Sequence, residues 1–234
     1  MLALLPIVGT FLWAMPALAG PSLHLDHQMP LYAPPKDGVS FYDPRLGEGS
    51  MLDDAGGGVG EPLNVIISGL SSPAVLNEPG IVKYAQAIGF STECFGIHMG
   101  PPMPANLGDG NGWVEQTIEL RHHYDVGSSC METIVGGNHF RVYIQNGTQA
   151  NSGALFLAVS KEEPLLDHHT IVPNGYNLGR DRLVRAAAGV REHRGVSYNT
   201  IAETVTGLLP EGKEGINHGI AIDGNVTLLT VTIL

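Results

Sequence analysis

Hydrophobic and polar residues alternate most regularly between Asn138 and Ser160, where NHFRVYIQ and GALFLAVS flank the polar stretch NGTQANSG. In the first segment Phe140, Val142 and Ile144 alternate with His139, Arg141, Tyr143 and Gln145. That is the period of a strand with one face in the core, so the polar set is expected to face outward as a shared surface. The second segment, Ala154 to Val159, is almost continuously apolar, as in a strand covered on both faces. Together they predict a hairpin at the centre of the fold.

Around it, LNVIIS (63–68) predicts a short buried strand ended by Gly69. Pro79 to Ala87 predicts a helix with Ile81, Val82, Tyr84, Ala85 and Ile88 on one side, closed by Gly89. Phe90 to His98 is expected to be a strand, Gly100 to Gly112 a loop, and Cys130 to Val135 a helical turn. Trp113 to Tyr124 fits a helix and a strand equally. Asn177 is expected to cap a helix from Leu178 to Ala188, with Leu183, Val184, Ala187 and Ala188 as its packing stripe. Arg180, Asp181, Arg182 and Arg185 then fall on its rim. Val196 to Thr206 predicts a strand, and Ile216 to Ile222 and Val226 to Ile233 predict a hairpin through Asp223-Gly224. The sum is an α+β fold: a mixed, largely antiparallel sheet with two main helices, around Tyr84 and Val184, packed on one face. The strands at Leu63 and Phe90 are expected to be parallel, because a helix joins them.

Composition sets the limits. The 234 residues, 43% of them hydrophobic, suit one domain, placed at 62–234. Residues 20–61 carry scattered Pro, Gly and Asp, end in Gly56-Gly57-Gly58-Val59-Gly60, and are expected to form an extended arm. The formal charge of -11 argues against nucleic acid and anionic membranes as partners. Residues 1–19 read as a signal peptide, with Ala17-Leu18-Ala19 before Gly20 as the cleavage motif, so the mature chain is expected to be secreted and extracellular, free of the membrane. In an oxidising compartment Cys94 and Cys130, the only cysteines, are expected to form a disulfide, and Asn146 and Asn225 head N-glycosylation sequons.

The ordered set LNVIISG, AIGF, GGNHFRVYIQNG, GALFLAVS, HHTIVPNGYNLGRDRLVRAAAG and NHGIAIDGNVTLLTVTI resembles a family of secreted fungal proteins of unknown function. More distantly it is similar to the LssY C-terminal type of domain, in which a strand with a His-x-Arg core precedes a His-Ile-Pro segment, an Arg-Asp helix and a closing Asp-Gly hairpin. The resemblance spans 61–234. Tyr143 stands where that pattern usually has Trp, and Asn177-Leu178-Gly179 where an acidic residue commonly precedes the Arg. The resemblance implies an architecture and a candidate face, and no reaction.

No stretch carries a specific catalytic signature, so no enzymatic reaction and no cofactor is assigned. The first functional reading is a ligand-binding or interaction domain whose polar row takes a small molecule or saccharide. His139, Arg141 and Tyr143 on the strand would be joined by Asp167, His168, His169 and Arg180, the arginines supplying planar, bidentate donors. The bland counterpart pairs Arg141 with Asp167 or Asp181 and satisfies His139 with backbone carbonyls. The second functional reading is a secreted metal-dependent hydrolase drawing on His98, His122, His123, His139, His168 and His169. No paired metal-binding spacing such as HExxH occurs, so no metal ligands are assigned. A third reading is a structural protein that self-associates through apolar faces; no pattern specifies the oligomeric state.

Overall fold

The protein was analysed as a computed structural model that describes residues 38–96, 101–124 and 128–234. The segment read as a signal peptide, the first part of the expected arm and His98 lie outside the described residues. The fold is the expected α+β arrangement, built on one eight-stranded sheet. Its strands are β1 (Val65–Ile67), β2 (Phe90–Thr92), β5 (Ile118–His122), β6 (Asn138–Ile144), β7 (Leu155–Lys161), β8 (Gly189–His193), β9 (Val196–Val205) and β10 (Val226–Ile233). The spatial order is β2-β5-β6-β7-β1-β10-β9-β8. All neighbours are antiparallel except β1 and β10.

The central hairpin forms as its pattern indicates, with Phe140 opposite Val159 and Val142 opposite Leu157. The ambiguous stretch from Trp113 resolves into strands. β4 (Trp113–Glu115) pairs with β3 (Pro104–Asn106), which lies within the expected loop, and β5 joins the main sheet. β1 and β2 run in the same direction but are separated by β7, β6 and β5, so the helix between them crosses over three strands. The strand expected at Phe90–His98 ends at Thr92. The hairpin expected at Ile216–Ile233 does not form: 217–219 is a 3-10 turn, and β10 pairs with β1 and β9 instead. Five glycines and one proline between 207 and 224 keep that stretch out of a ladder.

Two helices cover one face. In α1 (Glu78–Ala87) the side chain of Asn77 accepts from the Gly80 N–H, capping the first turn. Tyr84 then reaches β9, its ring tilted 60° against that of Tyr198 with centroids 5.5 Å apart and its hydroxyl bonding Thr200 at 2.8 Å. In α3 (Gly175–Ala187), which starts earlier than expected, Val184 faces Ala202 and Thr204 on the same side of β9. Gly179 is required there: a Cβ would sit 2.6 Å from the Ser160 carbonyl carbon, so only glycine lets helix and strand meet this closely. A short third helix, α2 (Ser128–Val135), is tied to the segment after β2 by the Cys94–Cys130 disulfide.

The opposite face departs from the expected pattern. His139, Arg141, Tyr143 and Gln145 do share it, but all four are buried, at 1%, 4%, 3% and 0% exposure. The cover comes partly from residues expected to form an extended arm. Met51, Asp53 and Glu61 are buried, Leu52 bridges to Pro62, and Asp53 to Ala105. Residues 38–61 are thus part of the sheet domain. A buried polar row needs partners; Arg141 Nε and His139 Nδ1 are left without one, while the covering segments supply many of the others. Gln145 shows how: its amide bonds the backbone N–H and C=O of Tyr42 and the carbonyl of Leu107.

Candidate metal centre

Two buried polar networks lie side by side on β6. The first surrounds Arg141. Its Nη2 bonds Glu61 Oε2 at 2.7 Å, while Nη1 lies 2.8 Å from Met103 Sδ and 3.5 Å from Asp53 Oδ2. The Tyr143 hydroxyl contacts Asp53 Oδ2 and the Met103 carbonyl, both at 3.2 Å. Asp53 also accepts from the Glu61 N–H at 2.7 Å, which closes the arm segment onto the sheet. Burial, opposed by Arg141, pushes the Asp53 carboxyl up to about 6. This network holds the N-terminal segment, and Arg141 and Tyr143 have no exposed ligand face.

The second network is more acidic. The antiparallel register sets Arg121 opposite His139 and His139 opposite Ser160. Arg121 is the hub: it meets Glu119 at 2.7 Å, Glu162 at 2.8 Å, Glu132 at 3.2 Å and Glu93 at 3.5 Å. Glu132 comes from α2 and Glu162 from just beyond β7. One guanidinium thus serves four carboxylates, leaving an excess of negative charge in a poorly solvated place. Burial is the main reason that Glu132 and Glu162 are each pushed up to about 7, against the opposing pull of Arg121.

Glu132, His139 and Glu162 each offer a ligand atom, and these atoms lie within 4.8 Å of one another. Arg121 takes Oε2 of both glutamates. Glu132 Oε1 and His139 Nδ1 are left buried with no hydrogen-bond partner. His139 Nδ1 stands 3.4 Å from Glu162 Oε1. That is too long for a good hydrogen bond, yet donors held about 2.1 Å from a tetrahedral zinc lie about 3.4 Å apart. His139 is prepared for the role. Its other nitrogen, Nε2, meets Ser160 Oγ at 3.2 Å, which orients the ring. Burial first, then the nearby guanidiniums, lowers its pKa well below the ordinary value, so the imidazole is neutral, the form that ligates metals.

His169 stands at the edge of this cluster, half-buried, its partnerless Nδ1 3.4 Å from Glu162 Oε2. Its neighbour His168 turns to solvent; both have positive φ, 53° and 61°. The expected set therefore divides. His139 and His169 both approach Glu162, Arg141 and Tyr143 belong to the adjacent network, and Asp167 and His168 are exposed. Arg180 is neither on a rim nor near His139 in any bond: it is buried and pairs with Asp223 at 2.6 Å and Asp181 at 2.8 Å. Of the remaining histidines, His123 is exposed and His122 packs against Phe90 and Tyr124. Asn146 is exposed and Asn225 half-buried.

The residues that sequence reasoning missed are Glu132, Glu162 and Arg121. A signal existed in Ile118–His122, where Glu119 and Arg121 alternate with Ile118 and Leu120. Read as a strand, that pattern puts two charges beside His139 and Arg141. Among the described residues no helix is long and apolar enough to cross a membrane. Comparison with known protein families, with curated proteins and with solved structures gave no significant match.

Proposed function

We propose that this protein is a secreted, metal-dependent hydrolase whose centre is Glu132, His139 and Glu162. The observation that carries the reading is the convergence of three ligand atoms, two of them buried and otherwise partnerless. Three protein ligands of mixed nitrogen and oxygen type correspond to an open, catalytic kind of site; structural zinc sites close with four, usually including cysteine. A divalent ion there would supply a water of lowered pKa as nucleophile.

The chain's own residues support this in distinct ways. Arg121 fixes the two glutamates through their Oε2 atoms. Ser160 orients the His139 ring. His169, whose pKa is lowered by burial and by Arg121, is a neutral base at the edge of the cluster, placed to accept a proton. Secretion is supported by the disulfide, which needs an oxidising compartment to persist, and by the apolar N-terminal segment.

The test is calorimetric titration of zinc and manganese into chelator-stripped protein, followed by assay of ester, amide and phosphoester hydrolysis with and without the ion. A single site that weakens at least about tenfold in Glu132→Gln and His139→Ala is expected, together with ion-dependent turnover. Saturable binding without turnover of any of the three bond types would reduce the reading to a metal-binding domain. Absence of binding would end it.

A further inference from the structure

A separate cleft of about 490 Å³ lies between α1 and the β8–β9 hairpin. Its size falls within the roughly 300–1,000 Å³ of small-molecule sites. Val82 and Val196 line its walls, and buried Tyr198 adds an aromatic surface. The remaining lining is cationic or neutral: Lys83, Gln86, His193 and Arg194, with no carboxylate, in a chain of formal charge -11. The side chains of Lys83, Gln86 and Arg194 form no hydrogen bond or ion pair with the described residues, and His193 Nε2 is buried without a partner.

The turn at its rim strengthens the case. His193 pairs with Val196, so Arg194 and Gly195 alone make the loop, with φ of 50° and 79°. Such two-residue turns with positive φ at both positions favour Asn, Asp or Gly first. Arginine there carries a conformational cost that asparagine would avoid, and residues held at such cost concentrate at functional positions.

We propose that this cleft binds a small organic anion, a carboxylate, sulfonate or phosphate on an apolar or aromatic body. Lys83 and Arg194 meet the charge, His193 and Gln86 donate hydrogen bonds, and Val82, Val196 and Tyr198 hold the body. The site is independent of the metal centre. The probe is 8-anilinonaphthalene-1-sulfonate, titrated by fluorescence into the full-length folded protein, beside the uncharged N-phenyl-1-naphthylamine. One saturable sulfonate site is expected, weakened about tenfold by Arg194→Asn and further by adding Lys83→Gln. The uncharged dye should bind wild type more weakly and ignore both substitutions. Arg194→Asn should also melt at or above the wild-type temperature, because asparagine suits the turn. The proposal is overturned if the double variant binds the sulfonate as wild type does, if the uncharged dye binds wild type as tightly, or if Arg194→Asn lowers the melting temperature.

Discussion

Replacing Arg121 with methionine removes the one guanidinium that Glu93, Glu119, Glu132 and Glu162 share, while keeping a side chain of similar length. The hub is only 13% exposed and Glu132 is fully buried, so the carboxylates cannot turn to water for compensation. Breaking a buried pair by deleting one partner costs about 3–5 kcal/mol. The loss should depend on pH, and its sign follows from the carboxyls. Glu132 and Glu162 already titrate at about 7 in the folded protein, above an unfolded value near 4.3. A carboxyl raised on folding adds stability below its unfolded pKa, and that contribution is lost as pH rises through the folded value. Arg121 opposes the rise, so its removal pushes both carboxyls higher and makes the variant weakest in base. Urea unfolding of metal-free protein, disulfide intact, should show a deficit of about 3–5 kcal/mol at pH 8 that shrinks by half or more at pH 5.5. A deficit under about 1 kcal/mol at pH 8, or the same deficit at both pH values, would refute the charge argument.

Three further outcomes follow from single contacts. Asp53→Asn removes a carboxyl that titrates at about 6 when folded, so the fall in stability as pH rises from about 4 through 6 should flatten in the variant, measured by thermal unfolding across that range. Gly137→Ala would place a Cβ 2.7 Å from Cγ of the buried Glu132 and displace that candidate ligand, so zinc affinity should drop about 10- to 100-fold by calorimetry, with a loss of about 1–3 kcal/mol in urea unfolding. Gly179→Ala would drive a Cβ into the Ser160 backbone, and urea unfolding should show a loss of about 1–3 kcal/mol or more.

The sheet was legible where one physical demand dominated. The period-two row of β6 and the apolar run of β7 give their pairing directly, and Pro79 and Gly89 bracket α1. Burial of the polar row was not legible, because alternation marks two faces and does not say what covers the polar one. Here the cover is Asp53, Glu61 and Met103, carried on segments rich in glycine and proline that read as linker and loop. The candidate metal centre was hidden for a related reason. His139, Glu132 and Glu162 sit on β6, on α2 and at the end of β7, and only register and the short α2 connection bring them together. No local spacing encodes such a set. Adjacent His168 and His169 diverge: His169 contacts Glu162 at the edge of the cluster, and His168 faces solvent.

The most direct measurement is the metal content of the full chain, expressed without an affinity tag and purified without chelators, beside His139→Ala prepared in the same way. The proposed reading of Glu132, His139 and Glu162 as metal ligands predicts one stoichiometric divalent ion in wild type and its loss in the variant. Wild-type protein that folds normally yet carries only trace metal after equilibration with zinc and manganese would contradict it, leaving the cluster as a network of shared protons.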